Sequence, residues 1–133
     1  MGGFKPLGDQ YWHPCVWEPD GAGGYAFTDL TADLPNGWYN VVLCGVNDLG
    51  QAVGSGALSA YSRGLLWSEA GGFQDLGRQI FPQDINNRGQ IAGYRISWDP
   101  SERRYPAFVR EPDGNLRDLP YPSEWALDRK SVV

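Results

Sequence analysis

The apolar positions of this chain come in short runs separated by glycine, asparagine, aspartate and proline, and long helical patterns are absent. Short apolar runs between turn-forming residues predict strands, so the chain reads as all-β. The runs are also related to one another. "VNDLGQAVG" (Val46 to Gly54) returns as "INNRGQIAG" (Ile85 to Gly93). "HPCVW" (13–17), "RGLLW" (63–67) and "PAFVR" (106–110) form a second set, and "YAFTDL", "GFQDL" and "NLRDL" a third. Asp29, Asp75 and Asp118 therefore recur with a period in the forties. Such a period means one supersecondary unit used repeatedly, as in propellers and related arrays.

Each unit reads as four strands, A to D. Strand A ends at Val46 or Ile85, and the turns 47–50 and 86–89 follow, where Asn and Asp bond their own backbone and Gly closes the turn at positive φ. Strand B is "QAVGS" or "QIAGY". Strand C is the second set above, and the turns at 18–21, 68–72 and 111–114 join it to strand D in a hairpin. The reading is one domain, 1–133, with units at roughly 11–30 (partial), 40–77, 79–120 and 124–133 (partial).

Strand C is apolar at both parities: Val16, Leu66 and Val109 at one, Cys15, Leu65 and Phe108 at the other. Because side chains alternate across a strand, both faces of the sheet are expected to be covered. A sheet packed between two similar sheets has this character, which favours antiparallel, propeller-like blades. A propeller needs about four blades, so three units predict a ring shared between chains or a segment of a longer array. A threefold β-prism or β-trefoil is the alternative.

The motifs "VNDLGQAVG" and "INNRGQIAG", the partial matches "HPCVW", "RGLLW" and "PAFVR", and "DLT", "DLG" and "DLP" resemble the bacterial HAF repeat family of extracellular repeat proteins. The resemblance covers roughly residues 11–120. None of the three strand-C copies keeps a full His-Ala-Phe. The resemblance implies a repeat β fold, propeller-like, and export from the cell. It implies no catalytic residue.

Composition narrows the partners. The formal net charge of −5 argues against nucleic acid, which needs a basic face. No apolar run approaches a membrane span. The opening "MGGFKPLGDQ" lacks the apolar segment of a secretory signal, which leaves the compartment open. Cys15 and Cys44 fit no zinc spacing. They read as small buried residues, with a disulfide as the alternative in an oxidising compartment.

In a four-stranded meander the A–B and C–D turns share one end and the B–C and D–A connections the other. The second end is expected to hold the long segments 31–39, 55–63, 77–83 and 94–105. Loops held by a rigid scaffold carry function. These segments supply the candidate ligand-binding residues Trp38, Tyr39, Tyr61, Arg63, Trp98, Arg103, Arg104 and Tyr105. Aromatics beside arginines suit a protein partner, and flat aromatic faces suit sugars. Catalytic constellations are poor: His13 is the one histidine, at a position set by the repeat, and no nucleophile elbow or phosphate loop occurs. Asp99 and Glu102 share a long loop as a weak carboxylate pair for hydrolysis. The expected function is a non-enzymatic binding or scaffold module for protein or carbohydrate, with no metal or cofactor. The second reading is a self-assembling homo-oligomer whose chains complete a shared ring, and the third a hydrolase on a repeat scaffold.

Overall fold

The computed structural model describes residues 2–102 and 104–120. Arg103 and the expected partial unit at 124–133 lie outside the described residues. Eleven strands form three antiparallel sheets, with one short 3-10 turn at Thr31–Asp33. The first sheet holds β1 (Gly2–Phe4), β2 (His13–Pro19) and β3 (Tyr25–Asp29). The second holds β4 (Trp38–Val46), β5 (Gln51–Leu58), β6 (Tyr61–Ser68) and β7 (Gly72–Arg78). The third holds β8 (Ile80–Ile85), β9 (Ile91–Arg95), β10 (Ala107–Arg110) and β11 (Leu116–Asp118). Each sheet is a meander in chain order, as the unit predicts.

The sheets share one register. Cys15, Leu65 and Phe108 pair with Asp29, Asp75 and Asp118 on one side, and with Gly2, Gly54 and Gly93 on the other. Gly2 thus stands where strand B stands in the other sheets. The sequence reading assigned no strand there, because "GGF" is too short to show a period.

Gly54 and Gly93 are glycines for a steric reason. Strand A bulges opposite each of them, at Cys44 in β4 and Gln83 in β8. A Cβ at Gly54 would sit well inside contact with the Val42 carbonyl oxygen, and one at Gly93 would do the same with that of Phe81.

The leading strand of each later sheet lies on the face of the sheet before it: β4 packs on β1 and β2, and β8 packs on β4, β5 and β6. Two apolar layers result. Val16 and Leu30 of the first sheet meet Leu43, Ala52 and Trp67 of the second. Val53 and Leu66 of the second meet Ile85, Ile91 and Phe108 of the third. Asparagine turns tie the second and third sheets at their ends. Asn47 Nδ2 donates to the Asn86 carbonyl at 2.9 Å, and Asp48 N–H to Asn87 Oδ1 at 2.8 Å. Asn87 Nδ2 returns a bond to Asp48 Oδ2 at 2.8 Å. The two copies of the motif are therefore partners as well as equivalents.

Four expectations change. The segment 55–63 is not a long loop: β5 and β6 continue as paired strands to a two-residue connection at Ser59 and Ala60, with Ser59 at positive φ. The segment 77–83 is likewise short, since only Gln79, at φ 57°, separates β7 from β8. Among the described residues, covering on both faces is seen for the second sheet, while β3 of the first sheet is exposed along its whole length. No helix among the described residues is long and apolar enough to cross a membrane. Cys15 is buried and free. Cys44 is free at the surface, its thiol donating to the Pro82 carbonyl, so neither the fully buried pair nor the disulfide is found.

Candidate functional site

Two of the recurrent aspartates, Asp75 and Asp118, take arginine partners across the sheet. Asp75 receives Arg63 Nε on both carboxylate oxygens, at 2.9 and 3.1 Å. Asp118 receives Arg95 in a two-pronged pair at 2.6 and 3.1 Å. This guanidinium holds the Asp118 carboxyl below the usual carboxylate range, and the Asp118 carboxylate pushes Arg95 up in turn. In the first sheet the side chain beside the recurrent Asp29 is His13, which reaches it through Thr31. Its Nε2 faces Asp9 at 2.6 Å, and its Nδ1 faces Thr31 Oγ1 at 3.0 Å. The Thr31 hydroxyl donates to Asp29 and so links His13 Nδ1 to that aspartate. Thr31 is the main cause that lowers Asp29. The Tyr11 N–H followed by His13 lowers Asp9. His13 and Arg63 are thereby bound into the sheets. Arg63, a candidate from the sequence, holds a strand edge and does not present a free charge.

The other candidates gather at the end where the longer connections lie. On the second sheet Tyr39 donates its hydroxyl to the Ser59 carbonyl at 2.9 Å, and its ring meets Tyr11 edge-on at 5.0 Å. Trp38 is half-buried, opposite Leu58 and close to Gly56. Tyr61 lies under the Arg78 guanidinium, 3.3 Å from the ring centroid. On the third sheet Phe81 stacks on Tyr94 at 5.0 Å, and Tyr94 meets Tyr105 edge-on at 6.1 Å. Arg104 stands 5.4 Å from the Trp98 ring and 5.7 Å from that of Tyr105.

Gln79 joins the two groups. Its N–H donates to the Ser62 carbonyl, its carbonyl accepts from Ile96, and its Oε1 accepts the Trp98 indole N–H at 2.9 Å. The result is a band from Tyr61 and Arg78 through Gln79 to Trp98, Arg104 and Tyr105. Trp98 is 68% exposed although its indole nitrogen is anchored. Arg78 and Arg104 have no carboxylate partner among the described residues.

Gln79, Arg78 and Tyr94 belong to this band and were absent from the sequence-derived set. Arg78 and Tyr94 had only their place beside the connections to mark them. Gln79 had no signal, since its role depends on a backbone bend between two sheets.

The carboxylates of the long loop are committed locally. Glu102 accepts from Arg95 at 3.2 Å and from the Ser97 hydroxyl. Asp99 accepts the Ser101 N–H and hydroxyl at 2.9 and 2.8 Å, which lowers its pKa. Among the described residues no group of three or more His, Cys, Asp or Glu side chains could hold a metal ion. No protein-family model, curated protein or solved structure matches the chain.

Proposed function

We propose that the chain is a non-enzymatic binding module on a propeller-like array of sheets, and that the band from Tyr61 to Tyr105 holds a protein partner. The observation that carries this reading is Trp98: a large ring left mostly in water while its one polar atom is anchored to Gln79. An exposed aromatic held in place loses little entropy on binding, and Trp, Tyr and Arg dominate binding hot spots. Arg104 beside it carries a charge that no described carboxylate neutralises, so a partner with an acidic side chain next to an apolar one is favoured. A carbohydrate is the second reading, supported by the free ring face of Trp98. The propeller-like array and the likeness to HAF repeats belong to the same proposal, supported by the shared register and by each sheet resting on the one before.

The test is a peptide-display library and a glycan array probed in parallel with the wild type, Trp98→Ala and Arg104→Ala. Selected peptides should lose about tenfold or more in affinity to either variant, the scale of one hot-spot residue. If every ligand recovered binds both variants as tightly as the wild type, the band is not the site.

A further inference from the structure

The third sheet ends the array of described sheets, and no described element packs on its far face. Across that face Asp84, Ala92, Val109 and Arg117 lie in one row of cross-strand partners. The same row in the second sheet is Gly45, Val53, Leu66 and Gln74. There it is covered, and Val53 is fully buried under the third sheet. In the third sheet Ala92 and Leu119 are exposed, and the row borders a cleft of about 280 Å³.

The first sheet has the opposite half of such a contact. Trp17 and Phe27 are cross-strand partners, their rings 5.4 Å apart, and Phe27 meets Phe4 edge-on at 5.3 Å. They are 44% and 48% exposed. Their equivalents in the second sheet, Trp67 and Phe73, pack on Val16 and Leu30 of the sheet before. The positions in the third sheet that match Val16 and Leu30 are Val109 and Leu119.

We infer that the Trp17–Phe27 face of one chain seats on the Ala92–Val109–Leu119 face of a second copy, repeating between chains the contact that joins its own sheets. The occupant follows from continuity. Two internal interfaces set the register, and each chain carries one unused half of each kind. The contact is face to back, so it is heterologous: it closes into a ring or runs on as a filament. It differs from edge-strand exchange, because no backbone ladder is shared. It borders the aromatic–arginine band at Tyr94, two positions from Ala92 on the same face of β9.

Sedimentation of the full chain with Trp17→Glu and Ala92→Arg tests it. Both substitutions fall on exposed positions, and circular dichroism checks that the sheets persist. The wild type should associate at about 100 µM, a modest affinity for an apolar contact of one sheet face. Each variant alone should be monomeric. Their equimolar mixture should give a heterodimer of twice the chain mass, because one intact front then meets one intact back. A wild-type monomer at that concentration overturns the inference, whatever else covers the face. So does Ala92→Arg that still associates by itself, which would mean a symmetric Trp17-to-Trp17 contact.

Discussion

Trp17 and Trp67 hold the same place in two copies of one unit, yet they are 44% and 7% exposed. Both sit on strand C and both pair with a phenylalanine on strand D. The difference lies in the neighbours. Trp67 has a sheet before it, and Trp17 has none among the described residues. The same contrast runs across the other faces. Gly45 of the second sheet lies under the third, and the residue in its place on the open face is Asp84. A repeat therefore writes the same hydrophobic pattern into every copy, and position in the stack decides what that pattern is worth. Buried, it is core. Exposed, it is an interface in waiting.

The largest effect expected from breaking this equivalence is at the tryptophans. Trp67→Ala should lower unfolding stability by about 3–5 kcal/mol, through lost transfer energy and the cavity left between sheets. Trp17→Ala should cost less than about 1 kcal/mol in the dilute chain. Urea denaturation of the two variants side by side checks this, and equal losses would mean that both rings are buried in solution.

Gly45→Ala sharpens the comparison at the covered face. Its Cβ would meet the Asp84 Cα at 2.7 Å and the Gln83 carbonyl oxygen at 2.9 Å, so the third sheet must move away. A loss of about 1–3 kcal/mol is expected, the usual range for overpacking. Asp84→Ala, on the open face, should lie within about 0.5 kcal/mol of wild type. Thermal melts of the two variants decide it.

The smallest effect concerns pH. Asp9, Asp29 and Asp118 all have their folded pKa lowered, by the Tyr11 N–H and His13, by Thr31, and by Arg95 respectively. The unfolded carboxylates thus take up protons first as the solution is acidified. The stability these groups confer is present above about pH 4 and is lost as pH falls through their folded values. The carboxylates are largely exposed, so solvent screening keeps the whole drop in melting temperature between pH 6 and pH 3 to about 2–5 °C. Asp118→Asn should flatten the third sheet's share of that slope, visible in melts taken across the pH series.

Much of the fold was legible in the sequence. The Asn-Asp-Leu-Gly and Asn-Asn-Arg-Gly turns marked their own positions, because side-chain-to-backbone bonds and positive φ are local demands. The recurrent Asp29, Asp75 and Asp118 fell into register because they belong to one repeated pairing. The candidate site was legible in part. Trp98, Arg104 and Tyr105 were named and do lie together. Tyr61 joined them through Arg78 and Gln79, which lie in the 77–83 segment but were not among the named candidates. Arg63 was named as well, and its carboxylate partner, twelve positions away on the next strand, was not legible in the sequence.

What the residue string determined alone is the unit: strands, turns and the equivalence of positions among its copies. These follow from interactions a few positions apart or between adjacent strands. Only the tertiary structure decided which faces are covered, how far β5 and β6 extend, and which aromatics stand in water. Burial is a property of neighbours, and a repeat cannot state in its own sequence which of its copies will have one.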